Sequence, residues 1–148
     1  MKKSIGRSVH VDSTQRWRKA MSRAFTYRIS KDTINVYDGD TIKCDIDLGF
    51  SIILKKQSVR LNSINCPEIR SKDGREKELG YAAKDKLIEI LDEAAEVTLE
   101  SHGKGKFGRI LGTLYTDGYN VNDMMVESGL ARPYDGGKRS SWFSTNVL

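Results

Sequence analysis

At 148 residues, with 38% hydrophobic and 30% charged positions, the chain has the size and composition of one globular domain around one core. No apolar run approaches the roughly 18 residues that cross a bilayer, so a helical membrane protein is excluded. The net charge of +5 is uneven: residues 1–28 hold eight Lys/Arg against Asp12, a balance of +7, so the other 120 residues carry −2.

Residues 1–24 therefore read as a basic arm, suited to a polyanion partner or to solubility alone. Within it, Asp12 followed by Gln15 is a capping pattern for a short helix to Ala24, with Trp17, Ala20, Met21 and Ala24 at helical spacing. Met1-Lys2-Lys3 is basic, but no apolar stretch follows. The expectation is a monomeric cytoplasmic protein, with secretion of a processed form as the alternative.

From Phe25 the period changes to two. Phe25, Tyr27 and Ile29 alternate with polar residues, Asp38-Gly39 marks a turn, and Ile42, Cys44, Ile46 and Leu48 predict a strand with one buried face. Gly49 ends or bends it. Residues 51–54 and 58–64 read as a further strand or pair, closed by Pro67.

Residues 75–95 predict a helix whose apolar stripe is Leu79, Ala83, Leu87, Ile90, Leu91 and Ala94, with Gly80 permitting close packing. A strand starts at Val97 and Leu99, residues 103–106 form a loop, and a strand over 110–115 leads to the Asp117-Gly118 hairpin turn. A second helix over 120–128 turns Val121, Met124 and Met125 inward and stops at Gly129. Strands, an inserted helix and strands again predict an α+β, mainly β, domain over 25–148: an OB-fold five-stranded Greek-key barrel with two to three helices.

Cys44 and Cys66 have no metal-finger spacing and read as reduced thiols. His10 and His102 are isolated and read as surface histidines. Trp142, beyond a glycine pair, either packs on the barrel or stays loose.

Three segments concentrate chemistry: Asp38-Gly39-Asp40-Thr41, Arg60 to Glu68, and Lys106-Phe107-Gly108-Arg109. Asp40 shares the parity of Ile42 and Cys44, so it points toward the barrel mouth, where an acid needs a partner such as a metal. Phosphodiester hydrolysis needs a water, a group to take its proton, and cations for the phosphorane oxygens. Asp40 with other oxygens could hold a hard cation, Glu68 could take the proton, and Arg60 and Arg109 could fork onto phosphate as lysine cannot.

On these motifs, in this order and spacing, the chain resembles the staphylococcal nuclease-like family from about Phe25 to Tyr134. The segment from Asn122 to Ala131 also looks like the family's helix before its closing segment. The resemblance implies a calcium-dependent (Ca2+) phosphodiesterase that cuts DNA or RNA with little sequence preference, leaving 3′-phosphate and 5′-hydroxyl ends. It implies that Asp40, Asn65 and the Cys66 backbone carbonyl ligate calcium. Glu68 matches the general base, and Arg60 and Arg109 the arginines that hold phosphate. Lys106, Phe107 and Tyr134 match substrate-binding positions.

The chain departs from the pattern at three places. Asn65 stands where familiar members have aspartate, so the site loses a formal negative charge and weaker calcium binding is expected. Phe107 replaces a tyrosine and loses a hydroxyl donor. The segment after Asp45 gives a different hairpin. The alternative reading is an OB-fold module that binds nucleic acid without cutting it, favoured by Asn65 but short of aromatics for base stacking. A purely structural or protein-binding domain would leave Asp40 and the two arginines without purpose.

Overall fold

Five strands close on themselves in the order β1-β6-β7-β4-β3-β1. They are β1 (Thr26–Ile29), β3 (Thr41–Gly49), β4 (Ile52–Leu61), β6 (Val97–Lys104) and β7 (Ile110–Thr116), and β2 (Asn35–Asp38) pairs with β3 outside the ring. All pairings in the ring are antiparallel except β4 with β7, which is parallel. This mixed closed barrel is the OB-fold that the element order predicts. The computed structural model describes residues 25–139 and 141–143. The arm over 1–24, its Asp12–Ala24 helix and His10 lie outside the described residues.

Two α-helices lie in the described chain: α1 (Gly74–Glu93) and α2 (Val121–Glu127). Short strands β5 (Ile64–Asn65) and β9 (Arg132–Pro133) pair with each other, and β8 (Tyr119–Asn120) pairs with β7. None of the described helices is long and apolar enough to cross a membrane.

The core is the predicted one in outline. Ile42, Cys44 and Ile46 of β3, Val59 and Leu61 of β4, Leu99 and Leu114 fill the barrel, and Ala83, Leu87, Ile90 and Leu91 of α1 close it. Met125 is fully buried with Val121, and Met124 packs against them. Leu48 breaks the expected pattern and is partly exposed. Register shifts between Cys44 and Ile46 and between Asp47 and Gly49 turn the end of β3 away from the barrel.

Three other boundaries differ from expectation. Residues 52–61 form one continuous strand, whose first half projects beyond the barrel and is exposed. β2 goes unread in the sequence because its four residues, Asn-Val-Tyr-Asp, bury only Val36. β6 runs through His102 and Gly103 into the expected loop, which shrinks to a single 3₁₀ turn over Lys106–Gly108.

Helix α1 begins one residue earlier than predicted because Asp73 caps it, accepting from the Arg75 N–H at 2.9 Å. Its last turn has no basic residue, and Lys31 Nζ supplies the cation from outside, donating to the carbonyls of Asp92 (2.9 Å) and Ala94. Asn120 caps α2 in the same way, accepting from the Asp123 N–H at 3.0 Å.

A buried amide ties α2 to the barrel. Asn122 accepts from the Leu114 N–H (3.2 Å) and donates to the carbonyls of Asn62 (2.9 Å) and Gly112 (3.2 Å). Every polar atom of that side chain is satisfied, which is the condition for burying an amide without loss.

Gly80 sets how closely α1 approaches the loop after β5. A Cβ there would lie 2.9 Å from both Glu68 C and Ile69 N, and 3.0 Å from Pro67 O, all backbone atoms that cannot step aside. Gly80→Ala should therefore destabilise the fold by about 1–3 kcal/mol, despite the roughly 1 kcal/mol that alanine gains in an open helix. Urea unfolding of the two proteins checks this; equal or greater stability in the variant would mean the loop can yield.

Candidate active site

Four chain segments converge on one end of the barrel. The β2–β3 turn brings Asp38 and Asp40, β4 brings Arg60, the loop after β5 brings Cys66 and Glu68, and the start of β7 brings Arg109. Together they line a cleft of about 430 Å³.

Gly39 allows this convergence. A Cβ at that position would lie 2.6 Å from Ala83 Cβ and 2.8 Å from Cys66 Sγ, so the turn packs directly on α1 and the Cys66 loop. The parallel pairing of Val59 with Ile110 then sets Arg109 beside Ser58, two residues from Arg60 and on the same face.

Asp40 is buried, as its strand parity predicts, and it has protein partners there. Its Oδ2 accepts from the Cys66 N–H at 2.9 Å and faces Arg60 Nη1 at 3.4 Å, and its Oδ1 accepts from the Thr41 hydroxyl at 3.1 Å. The Arg60 guanidinium, 8% exposed, also donates to the Leu61 carbonyl at 2.8 Å.

Asp38 is a site residue that the sequence offers only as half of a turn. Burial, then the neighbouring Asp40 charge, push its carboxyl up from 3.8 to about 7, with Arg60 opposing. Its Oδ1 accepts from the Asp40 N–H at 3.1 Å. The two cysteines are free and buried. Burial pushes the Cys44 thiol up to about 12 and the Cys66 thiol higher still, so neither is a nucleophile at neutral pH.

Glu68 is half exposed at the cleft edge, where its carboxylate pairs with Arg139. Arg139 is absent from the motifs of the sequence, as are Lys43, Arg70 and Tyr37, which also line the cleft. No periodicity or motif spacing marks Arg139, because it enters from the irregular C-terminal segment. Arg70 lies over the Tyr37 ring at 5.6 Å.

The remaining expected residues stand apart. Asn65 and Tyr134 line a second, adjoining cleft of about 320 Å³ together with Arg132, Lys138 and Arg139. Asn65 is 3% exposed, and its Oδ1 is buried without a hydrogen-bond partner. Lys106 and the 94%-exposed Phe107, in left-handed backbone at φ 62°, lie on the turn before β7 and outside both clefts.

His102, expected to be a surface histidine, is about one-third exposed, with Nε2 at 2.9 Å from Thr113 Oγ1 and 3.4 Å from Glu100. Trp142 is packed rather than loose, with the Arg132 guanidinium 3.8 Å above its ring.

An OB barrel carrying buried acids, arginines and an exposed glutamate in a cleft at its end defines the class of protein. The model of the family described as staphylococcal nuclease homologues matches residues 58–143, and the chain belongs to that family. It is also similar to a protein of Escherichia coli named "Uncharacterized endonuclease", at 31% identity over 104 residues. That match covers 69% of this chain and 59% of the relative. A protein of the same name from Escherichia coli O157:H7 is 30% identical over the same coverage. The chain thus spans about three fifths of the length of these curated relatives.

The Asp38 carboxyl gives a pH signature. Its unfolded form ionises near 3.8 and its folded form near 7, so the folded state binds more protons between those values. This group's contribution to stability is full below about pH 4, falls as pH rises to about 7, and is then level. Asp38→Asn should remove that fall, raising stability in chelator at pH 8 by about 2–4 kcal/mol with little change at pH 4. Chemical unfolding across that range tests it; equal gains at both ends would assign the effect to something other than titration.

Proposed function

We propose that the protein is a calcium-dependent nuclease that hydrolyses phosphodiester bonds of DNA or RNA at the Asp40–Arg60–Glu68–Arg109 cleft. The observation that carries this reading is the convergence, from three separate strands or loops, of two arginines and a solvent-accessible carboxylate around a buried acidic turn.

The donor set suits a hard cation with oxygen ligands. The buried, partnerless Oδ1 of Asn65 is an oxygen that a cation would satisfy, and the Asp38–Asp40 pair is desolvated negative charge that one would relieve. By the family resemblance, Asp40 and the Cys66 carbonyl on the main cleft and the Asn65 amide oxygen on the adjoining one would hold it. Bound there, calcium supplies Lewis-acid stabilisation of the phosphate and of an attacking water.

The protein's own groups do the rest. Arg60, fixed by Asp40 and the Leu61 carbonyl, presents a pre-oriented guanidinium that need not reorganise when charge develops on the phosphate. Arg109, on the same face two positions along in the register, offers a second fork to the phosphate oxygens. Glu68, at the cleft edge with access to solvent, is the group placed to take a proton from water. As the family resemblance implies, water attack at phosphorus breaks the bond to the 5′ oxygen and leaves 3′-phosphate and 5′-hydroxyl ends.

The deciding experiment is cleavage of end-labelled single-stranded DNA and RNA with calcium and with chelator, for wild type and Arg109→Ala. Cutting that needs calcium and falls by about 10²–10³ in the variant supports the reading. Intact binding with no cutting at any calcium concentration would instead make the domain a binding module.

Asn65 sets the metal affinity. Replacing its neutral amide with a carboxylate restores one charge, so Asn65→Asp should tighten calcium by roughly tenfold. A titration by isothermal calorimetry measures this directly, and unchanged or weaker affinity would remove Asn65 from the ligand set.

A further inference from the structure

The C-terminal segment carries cationic side chains that none of the family motifs include. After β9, the Tyr134 N–H donates to the Ser63 carbonyl at 2.9 Å, which pins the chain beside β5. Gly136 then takes φ +92°, and the Gly137 N–H closes a turn on Asp135 Oδ1 at 2.9 Å. Lys138 and Arg139 follow. Beyond them Trp142 lies under the Arg132 guanidinium at 3.8 Å, and Phe143 lies under Arg75, at the start of α1, at 4.3 Å. The segment is therefore fastened on both sides of Arg139.

Arg139 lines both clefts. In the main cleft its guanidinium pairs with Glu68, and the two side chains are 43% and 53% exposed. An ion pair so open to water contributes little stability and is readily exchanged. Arg60, by contrast, is buried and committed to Asp40 and Leu61. Arg139 is thus held by an exposed ion pair and by the Tyr134 ring 5.9 Å away, contacts that leave its guanidinium open to exchange with a stronger anion. A phosphodiester is such an anion, since it accepts a bidentate, charge-assisted fork from arginine.

The adjoining cleft gives this phosphate a place. Arg132, Lys138 and Arg139 supply its charge, and Asp135, the acid that also lines it, already has one carboxylate oxygen occupied by the Gly137 N–H. Resting on the nuclease reading above, we propose that Lys138 and Arg139 form a second phosphate subsite, which takes the phosphodiester adjacent to the one cleaved. When a strand enters, Arg139 exchanges Glu68 for this phosphate, and the Glu68 carboxylate becomes available to water. Strand binding and release of the proton acceptor are then one event.

The test is fluorescence anisotropy of a labelled oligonucleotide in EDTA, where binding is read without cleavage. Arg139→Ala should weaken binding about tenfold and reduce the salt slope by about one. Arg139→Lys should recover part of the loss, because it keeps the charge but not the fork. The loss should persist in a Glu68→Gln background, and a nucleoside 5′-monophosphate, which has a single phosphate and no neighbouring phosphodiester, should bind both proteins equally. With calcium, KM should rise while kcat changes less than about threefold.

Unchanged oligonucleotide affinity in Arg139→Ala overturns the subsite, and so does a loss that vanishes once Glu68 is Gln. A fall in kcat at constant KM would likewise overturn it, as the mark of an arginine acting only through Glu68. Wild type that binds in EDTA but never cuts with calcium defeats the nuclease reading and leaves the subsite measured. Wild type without affinity for oligonucleotides defeats both.

Discussion

The burial of Arg60 opposite Asp40 is the constraint on which the rest of this structure depends. Each side chain is 8% exposed, and each would cost several kcal/mol to desolvate alone. The surrounding backbone meets that cost. Asp40 takes the Cys66 N–H and the Thr41 hydroxyl, Arg60 takes the Leu61 carbonyl, and the Leu61 N–H returns to the Asp40 carbonyl at 2.7 Å. The pair thus locks the β2–β3 turn, the end of β4 and the loop after β5 into one unit. Removing either partner would leave a buried charge uncompensated, a loss of about 3–5 kcal/mol.

Function and strain follow from the same pair. Arg60 serves two carboxyls, and at Asp38 burial and the Asp40 charge outweigh it, so that acid is held partly protonated near neutrality. The end of the barrel stores unfavourable negative charge beside a buried arginine paired with Asp40 and the Leu61 carbonyl. Where a fold tolerates such an arrangement, it is usually at a site that does chemistry. The glycines at 39 and 80 serve the same end, since each lets backbone approach where a methyl group would collide. They set the distance between α1 and the loop bearing Glu68.

Much of this was legible in the residues. Alternation at Ile42, Cys44 and Ile46 placed Asp40 inward by parity alone, and the stripe from Leu79 to Ala94 found α1 almost to its ends. The capping residue Asp73 and the short strand β2 escaped because one polar residue, or one buried valine, is too little pattern to register. Phe107 carries the motif of a substrate contact, and its left-handed turn presents the ring almost wholly to solvent, outside the residues that line the two clefts.

What the sequence determined by itself was local and periodic. It specified which strands have a buried face, where α1 and α2 run, and that three short motifs carry acids and arginines fit for phosphate chemistry. Tertiary structure alone decided their grouping. The parallel pairing of β4 with β7 set Arg109 two register positions from Arg60 across some fifty residues of chain, and the β5–β9 pairing placed Asn65 and Tyr134 in an adjoining cleft. It also brought Arg139 onto Glu68 from a segment without any repeat. The physical reason is that side-chain periodicity reports only burial of one face. Which distant charges meet depends on strand register and closure, and those are fixed by the whole barrel at once.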